Sequence, residues 1–277
     1  MSPFVAVIIP TYNRAHLLER AVQSVLNQTF REFELVVVDD GSTDDTAHLL
    51  LIRNPDPRLR YIRLPANRGV SRARNTGVTM TTAPWLAFLD SDDEWLPRKL
   101  EKQVRWIHKH PYMQIVQTRE IWMRRGRRVN PPLTHEKSGG NLFFASLERC
   151  MVTPSSVMLR RPLLDEAGGF DESLPACEDY DLWLKITCRF PVGLVDEYLL
   201  TRYGGHSDQL SAAVPLLDRF RIRSIRNLLA AGCLTADQQE RARKILLKKA
   251  KILAHGYEKH GNRAEHERYE KIIAQYS

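Results

Sequence analysis

The stretch Ala87-Phe88-Leu89-Asp90-Ser91-Asp92-Asp93 joins an apolar run to three closely spaced carboxylates. A run of this kind predicts a buried strand, and the acids that follow are expected at its carboxyl end. Carboxylate oxygens are the ligands that Mg²⁺ and Mn²⁺ prefer, and such cations usually reach a protein through one or two carboxylates, water and substrate phosphates. The stretch therefore predicts a divalent cation site and, as its natural ligand, a nucleotide diphosphate.

Upstream of this stretch, strand-like and helix-like segments alternate. Strands are predicted at residues 4–10, 34–38, 60–64 and 85–89, and helices at 14–28 and 70–80. This alternation is typical of βαβ units, whose parallel sheet binds ligands at the carboxyl ends of its strands. Ser42 or Thr43 is predicted to cap the helix after the second strand. Pro97 is predicted in the first turn of a helix that buries Leu100, Val104 and Ile107.

Downstream of the acids the pattern changes twice. Residues 113–203 are mixed, with a hairpin predicted around Gly126 and helices at 161–167 and 179–189. After Pro215 the chain is predicted to be wholly helical, and Thr235 and Gln238 are spaced as a capping box. We place a boundary between these regions near residues 207–215.

The composition is that of a globular protein. The chain has 277 residues, of which 43% are hydrophobic and 27% charged. It has no run of about 18 apolar residues that could span a bilayer, and its first residues lack the features of a signal peptide. We therefore expect a cytoplasmic protein. The four cysteines, Cys150, Cys177, Cys188 and Cys233, form no CxxC pair, and reduced thiols are expected.

The net charge of +8 is concentrated at the end of the chain, because residues 211–277 hold 14 basic and 7 acidic side chains. The segment from Arg241 to Lys251 alternates cations with apolar residues. It could bind an anionic membrane peripherally, or pack its apolar stripe on the domain with its lysines in water, which is the interpretation we favour. We expect no nucleic-acid partner, since no recognition motif is present. A dehydrogenase or P-loop enzyme is disfavoured because the first strand is not followed by GxGxxG or GK[ST].

Six polar strings occur in a fixed order along the first three quarters of the chain. They are Pro10-Thr11-Tyr12-Asn13-Arg14, Asp39-Asp40-Gly41-Ser42, the string from Asn67 to Gly77, Asp90-Ser91-Asp92, Gly168-Gly169-Phe170-Asp171, and Glu178-Asp179-Tyr180-Asp181-Leu182-Trp183. In order and spacing they resemble the family 2 glycosyltransferases of the GT-A fold. The resemblance covers residues 4–206. It implies an α/β fold with a Rossmann-like, mostly parallel sheet flanked by helices, here followed by a helical C-terminal extension.

The resemblance also implies a division of the chain and an activity. Residues 1–112 would form the nucleotide-sugar-binding half, 113–210 the acceptor-side half of the same domain, and 211–277 a basic helical extension. The implied enzyme is a hexosyl- or N-acetylhexosaminyl-transferase that uses Mn²⁺ or Mg²⁺ and inverts the anomeric centre. It would move a sugar from a nucleotide diphosphate sugar, with UDP-sugar as first choice, to a hydroxyl of a glycan or glycolipid acceptor in polysaccharide, glycan or glycolipid synthesis.

Two alternatives remain at this stage. A catalytically silent sugar-nucleotide-binding protein of a polysaccharide assembly complex would keep the same fold, although the presence of both Asp92 and Asp179 argues against it. A sugar-phosphate nucleotidyltransferase uses a related sheet and a metal, but its GxGTRL start is missing. The sequence indicates neither the donor sugar, the acceptor nor the oligomeric state.

Residue roles are carried over by position from the resemblance. Nucleotide-sugar binding is implied for Pro10, Thr11, Tyr12, Arg14, Asp39, Asp40, Arg72, Arg74, Asp90 and Ser91. Thr11 and Tyr12 would lie against the nucleoside, and Asp40 would accept from the base edge with Asp39 beside it. The alternative is that these two aspartates only favour the N-terminus of the next helix through its dipole. Arg72 and Arg74 could reach a phosphate, or could lie on an exposed helix face.

The implied metal ligands are Asp92, Asp90 and His206. Asp90 would hold the ribose or lie near the metal, and His206 is either a ligand of the metal or diphosphate or a structural histidine. A solvated loop that caps the next helix is the alternative for the aspartates. Asp93 and Glu94 are expected to be solvent-exposed or helix-start acids.

Asp179 is the implied catalytic base, and Glu178 would raise its proton affinity or orient the acceptor. The alternative for both is that they simply open a helix. Cys177 stands where many family members have glycine, which leaves the local backbone geometry open.

Overall fold

This computed structural model describes residues 3–205 and 214–277. Within them the chain forms a nine-stranded sheet, and the first four strands of the chain pair in parallel. The strands are β1 (Val5–Thr11), β2 (Phe33–Asp39), β3 (Leu59–Arg63), β4 (Trp85–Phe88), β5 (Glu94–Trp95), β6 (Ile115–Arg124), β7 (Arg127–Val129), β8 (Met158–Arg160) and β9 (Gly193–Gly204). The helices are α1 (Ala15–Leu26), α2 (Thr46–Arg53), α3 (Val70–Thr79), α4 (Lys99–Lys109), α5 (Phe143–Glu148), α6 (Arg161–Glu166), α7 (Glu178–Thr187), α8 (Asp218–Ala230), α9 (Ala236–Lys259) and α10 (Arg263–Tyr276).

The strand order is β3-β2-β1-β4-β8-β6-β9-β5, with β7 paired to β6. β1, β2, β3 and β4 pair in parallel, so their carboxyl ends lie at one edge. β8 pairs antiparallel with both β4 and β6, and it joins this parallel part to the second half of the sheet. β6 and β9 are again parallel. The predicted hairpin around Gly126 is confirmed as β6 and β7.

Helices cover both faces of the sheet, which explains why β1 reads as a continuous apolar run rather than an alternating one. All seven residues of β1 are buried. One apolar cluster lies with α1 and α4, and it includes the predicted helix face Leu100, Val104 and Ile107. The other face packs against α3, where a Cβ added to Gly77 would lie 2.5 Å from the Ile8 side chain. The glycine therefore lets this helix approach the sheet closely.

The C-terminal helices α8, α9 and α10 pack on α5 and α7 through a third apolar cluster. Within α9, Ile245, Leu246 and Leu253 are buried, which confirms that its apolar stripe packs on the domain. The predicted capping box is also confirmed: Thr235 accepts from the Gln238 backbone, and the Gln238 side chain accepts from the Thr235 backbone. None of the helices within residues 3–205 and 214–277 is long and apolar enough to cross a bilayer.

Two predictions of helix starts are wrong. α2 begins at Thr46 rather than directly after Ser42 or Thr43, and the Ser42 hydroxyl accepts instead from the backbone N–H of Asn13. α4 begins at Lys99, so Pro97 lies before the helix. Its carbonyl accepts from the Thr29 backbone N–H, which ties this turn to the end of α1. In both cases a long-range hydrogen bond draws the residue out of the helix.

Candidate active site

A cleft of about 1250 Å³ opens at the carboxyl ends of β1, β2 and β4. A further part of its wall is the segment 172–180, which leads into α7. Among the residues singled out from the sequence, the cleft is lined by Pro10, Thr11, Tyr12, Arg14, Asp40, Arg74, Asp90, Ser91, Asp92, Glu178 and Asp179. The C-terminal extension contributes Leu217 and Arg221 to the same wall. The fold thus brings motifs from distant parts of the chain to one cavity.

At one end of the cleft lie the groups predicted to meet a nucleoside. The Tyr12 ring is 42% exposed, and the buried Thr11 hydroxyl has no hydrogen-bond partner in the described residues. The Asp40 carboxylate accepts from the backbone N–H groups of Arg68 (2.9 Å) and Gly69 (2.7 Å). Burial raises the pKa of Asp40, although the hydrogen bonds from Arg68 and Gly69 lower it. The negative charge of Asp39 raises it further. An unpartnered hydroxyl beside an exposed ring suits a ligand that brings its own polar groups.

Asp39 does not line the cleft. It is fully buried, and its carboxylate accepts from the backbone N–H of Ser42 (2.7 Å) and from the Tyr61 hydroxyl (2.5 Å). Its two bonds fix the turn after β2 and thereby place Asp40. The geometry therefore separates the two aspartates that the sequence places side by side.

The acids after β4 are held by arginines from α1 and the segment before it. Arg14 lies 3.1 Å from the Asp92 carboxylate, and the Arg20 guanidinium donates to the Asp92 backbone carbonyl at 2.6 Å. Arg20 also stacks over the ring of Tyr203, 3.7 Å from its centroid. The backbone N–H of Asp90 donates to the Ser155 hydroxyl. These contacts fix the loop, which keeps the carboxylates at the cleft surface.

The expectation that Asp93 is a solvent-exposed acid is wrong. Its side chain is buried and accepts from the Tyr203 backbone N–H at 3.1 Å. Burial, together with the charges of Asp92 and Asp90, raises the pKa of Asp93 well above its ordinary value. Glu94 is also partnered, because its carboxylate accepts from the Tyr203 hydroxyl. Asp93 thus anchors β9 to the acid loop.

Arg74 joins the two acidic regions of the cleft. Its guanidinium donates to Asp90 at 2.8 Å and to Glu178 at 2.7 Å, and the side chain is almost fully buried. Although burial opposes the charge, the two carboxylates raise the pKa of Arg74 above its ordinary value. The Phe170 ring lies 5.0 Å below the guanidinium.

Arg72 lies outside the cleft. It is exposed, pairs with Glu172 at 3.3 Å and does not line the cleft. Of the two cations on α3, only Arg74 therefore has a place in the site, with both of its terminal nitrogens already bound by acids. For Arg72, the structure therefore supports the alternative interpretation, in which the side chain lies on an exposed helix face.

The acids that open α7 differ in their surroundings. Burial raises the pKa of Glu178 even though Arg74 lowers it, and the Asp179 charge adds to the rise. Asp179 accepts from its own helix through the Tyr180 N–H (2.7 Å), and the Cys150 thiol lies 3.3 Å from its other oxygen. Cys177 adopts the left-handed conformation at φ 63°, which explains why glycine is common at this position. The substitution keeps the backbone geometry that a glycine would favour.

A buried charged cluster behind the cleft was not signalled by the sequence. Lys137 lies 3.6 Å from Glu120, which also accepts from the Thr153 hydroxyl and the Trp122 indole. Burial would raise the pKa of Glu120, but the Lys137 and Arg202 cations hold it below its ordinary value. Arg202 itself lines the cleft. These residues come from separate strands and loops, so no local pattern could have grouped them.

Asp90 and Asp92 fit a hard divalent cation in their chemistry, because both present carboxylates to the cleft and such cations complete their shell with substrate phosphates and water. Within residues 3–205 and 214–277, no group of three or more potential ligands is preassembled. His206, the third predicted ligand, lies outside the described residues. The two aspartates therefore stand as the candidate metal ligands.

The chain matches the sequence model of Glycosyl transferase family 2 over residues 6–168. The chain belongs to this family. Its curated relatives include an uncharacterized glycosyltransferase of Rickettsia felis, 33% identical over 195 residues that make up 70% of this chain and 32% of the relative. Family 2 membership is supported as well by an Escherichia coli protein, 33% identical over 66% of this chain and 69% of its own length. That protein is named UDP-Glc:alpha-D-GlcNAc-diphosphoundecaprenol beta-1,3-glucosyltransferase WfgD. The chain spans about a third of the length of the Rickettsia relative.

Solved structures agree on the fold. TarS of S. aureus in complex with UDP-GlcNAc superposes with a TM-score of 0.72 at 23% identity, over 93% of this chain and 73% of that one. The mannosyltransferase PcManGT from Pyrobaculum calidifontis, in complex with GDP-Man and Mn²⁺, gives a TM-score of 0.59 at 20% identity, over 100% of this chain and 84% of that one. The predicted GT-A fold and membership of the glycosyltransferases are confirmed.

Proposed function

We propose that this family 2 protein is a metal-dependent, inverting glycosyltransferase that moves a sugar from a nucleotide diphosphate sugar to an acceptor hydroxyl in polysaccharide, glycan or glycolipid synthesis. The observation that carries the proposal is the Arg74 bridge, which joins Asp90 and Glu178 within one cleft. It sets the candidate cation site and the candidate base at a fixed separation. We propose a donor half at residues 1–112, an acceptor half at 113–210 and a helical extension at 211–277.

The nucleoside is assigned to the end of the cleft at β1. Thr11 offers an unpartnered hydroxyl, and Tyr12 offers an exposed ring to the base. Asp40 uses each carboxylate oxygen once, for Arg68 and Gly69. A carboxylate oxygen has more than one acceptor position, so Asp40 can still accept from a base edge.

Asp90 and Asp92 would hold Mn²⁺ or Mg²⁺. When bound, the cation neutralises the charge that grows on the departing diphosphate. Arg202, on the cleft wall, adds a fixed positive charge on the same side, since it acts on Asp93 and Asp90 electrostatically. Arg14 holds Asp92 in place from the nucleoside side.

Asp179 is assigned as the base. As the acceptor oxygen forms its bond to the anomeric carbon, the bond from that carbon to the phosphate oxygen breaks, and Asp179 takes the proton of the acceptor hydroxyl. Direct displacement of this kind inverts the anomeric centre. Glu178 is tied to Arg74, so its role is to position the start of α7 and the neighbouring carboxylate.

The donor class is supported by the relatives. The E. coli relative is named as a UDP-glucose-dependent transferase that acts on a lipid diphosphate acceptor, and we carry a UDP-sugar donor and a glycolipid acceptor over to this chain as part of the proposal. Neighbours of the same fold were solved with either UDP-GlcNAc or GDP-Man. The test therefore includes both nucleotides.

The proposal is tested by calorimetric titrations of UDP, GDP and dTDP in the presence of Mn²⁺, and again with EDTA. We expect binding that requires the metal, that Asp92→Ala abolishes and that Asp165→Ala, an exposed acid on α6, leaves intact. Hydrolysis of a panel of UDP-, GDP- and dTDP-sugars then identifies the donor.

No binding of UDP, GDP or dTDP under any metal condition would contradict the site. Metal-dependent binding without turnover of any donor, including in the presence of membrane extracts as a source of acceptor, would favour the catalytically silent alternative.

A further inference from the structure

An arginine-rich hairpin tip projects from the second half of the sheet. β6 ends at Arg124 and β7 begins at Arg127, so Arg124, Arg125, Arg127 and Arg128 fall within five positions, all of them exposed. We call residues 122–129 the arginine hairpin. Arg125 and Gly126 form the turn, both with positive φ. The fold therefore keeps four guanidinium groups together in water.

These four guanidiniums have no ion pair or side-chain hydrogen bond within residues 3–205 and 214–277. Their recorded contacts are with aromatic rings: Arg124 lies 5.7 Å from the Trp122 centroid and Arg128 lies 5.8 Å from that of Tyr198. The nearby carboxylates Glu136 and Asp196 are both bound by Arg119. Within residues 3–205 and 214–277, no carboxylate therefore neutralises the charge of the hairpin.

Apolar and amphipathic side chains surround the same surface. Leu133 is 88% exposed, in a short 3-10 helix whose His135 packs on Trp122. Tyr198 on β9 is 53% exposed. A surface that combines unpaired arginines with an exposed leucine and with Trp and Tyr rings has the composition of sites that bind the headgroup region of a bilayer.

The hairpin is continuous with the rim of the cleft. In the β6–β9 ladder Trp122 lies opposite Arg202, and Met123 opposite Tyr203. Arg202 and Tyr203 both line the cleft. A bilayer that contacts the hairpin would therefore lie beside the candidate active site.

The C-terminal helices carry more cations but are less suited to the role. Arg241 and Lys248 pair with Glu148, and Lys249 is buried against Asp218. The exposed cations of α9 without an ion pair in the described residues are Arg243, Lys244, Lys251 and Lys259. They extend over roughly 24 Å of helix, so their charge density is well below that of the hairpin.

We infer that the arginine hairpin is the surface by which this protein docks on anionic phospholipid headgroups. Each guanidinium near such a surface adds to the attraction, and the attraction is screened by salt. Docking there brings the cleft to the bilayer, where an acceptor with a lipid anchor would be presented. The inference concerns binding and does not depend on the proposed transferase activity.

The test is co-sedimentation with vesicles of equal parts phosphatidylglycerol and phosphatidylcholine, compared with vesicles of phosphatidylcholine alone. We expect binding to the anionic vesicles only, weakening as salt is raised. A variant with Arg124, Arg125, Arg127 and Arg128 all changed to Gln should bind roughly 600-fold more weakly, since each of the four cations contributes about fivefold. A matched variant with Arg243, Lys244, Lys251 and Lys259 changed to Gln removes the same charge and should bind nearly as well as the unaltered protein.

Several results would overturn the inference. These are equal binding to neutral vesicles, loss of binding in the α9 variant instead of the hairpin variant, or full displacement from vesicles by inorganic pyrophosphate at the same phosphate concentration. The last result would assign the hairpin to a free phosphate ligand. Unchanged thermal unfolding and UDP titration of the hairpin variant show that it is folded. The vesicle affinity of the two-residue variant, Arg125→Gln with Arg127→Gln, should lie midway between those of the unaltered protein and the four-residue variant.

Discussion

The two acidic regions of the cleft are built from different partners. Asp90 and Asp92, at the end of β4, meet the guanidinium groups of Arg74 and Arg14. Asp179, at the start of α7, meets a thiol and a backbone N–H. Charge-assisted hydrogen bonds are the stronger kind and hold a carboxylate in one place, whereas a thiol is a weak donor. The first environment suits a carboxylate held in place for a cation, as proposed for Asp90 and Asp92, and the second suits a less constrained acid, as proposed for the base Asp179.

The largest expected effect comes from removing the proposed proton acceptor, Asp179. Asp179→Asn should lower kcat for donor hydrolysis by about 10²–10⁴, the range typical of general base catalysis. UDP binding with Mn²⁺ should be nearly unchanged, because the substitution leaves the proposed metal ligands Asp90 and Asp92 unaltered. Steady-state kinetics with the donor found in the panel, together with calorimetry, measure the two quantities. An Asn variant that hydrolyses at the unaltered rate would assign the base elsewhere.

A second effect concerns the thiols beside Asp179. Burial raises the pKa of Cys177 to about 12 and raises the pKa of Cys150 well above its ordinary value. The reactive species is the thiolate. Iodoacetamide at pH 8 should therefore modify Cys177 roughly 1000-fold more slowly in the folded protein than in urea, where the thiol has its ordinary pKa of 9.0. Mass spectrometry of the labelled peptides gives both rates.

The pH dependence of the labelling rate distinguishes a protonated Cys177 thiol from a thiol that the reagent cannot reach. The rate in the folded protein should rise about tenfold for each unit of pH between 8 and 10, because the thiolate fraction does. A flat rate would contradict protonation of Cys177 as the reason for slow labelling and would show that the reagent cannot reach the sulfur.

Arg74 links the two regions, and its loss should destabilise both. Arg74→Met leaves Glu178 without its buried partner, which should lower the free energy of unfolding by about 3–5 kcal/mol. The matched control is Arg72→Met on the same helix, where the exposed pair with Glu172 should contribute less than about 1 kcal/mol. Urea denaturation measures both variants.

A double substitution tests whether the instability of Arg74→Met comes from the unpaired, buried carboxylate of Glu178. Adding Glu178→Gln to Arg74→Met should restore part of the lost stability, since the uncompensated buried carboxylate is then removed. If Arg72→Met and Arg74→Met proved equally mild, the bridge would not be the link between the two regions.

The smallest expected effect is at the thiol itself. Cys150→Ser places a stronger donor against Asp179, which should lower kcat a few-fold. Cys150→Ala removes the donor and should not lower kcat in this way. Identical kcat values for the three proteins would mean that the 3.3 Å contact has no bearing on the proposed base.

Much of the donor half could be predicted from the sequence because its signals are local. A buried parallel strand reads as an apolar run, and the helices between strands show the helical period, so β1 to β4, α1 and α3 were predicted within one or two residues. The polar strings at the strand ends needed only the rule that parallel strands share a carboxyl edge. The helix starts at Ser42 and Pro97 were wrong because bonds to Asn13 and Thr29, far away in the chain, outweighed local capping preference.

The sequence by itself determined the fold class, the hairpin around Gly126, the capping box of α9 and most residues that line the cleft. These follow from periodicity, turn chemistry and motif order, all of which act over short stretches. Only the tertiary structure decided which acids face the cleft. It buried Asp93 against Tyr203, bound Asp39 to Tyr61, and brought Arg74 to Glu178 and Cys150 to Asp179. Such contacts join residues up to about a hundred positions apart, where burial and geometry, rather than any local pattern, set the partner.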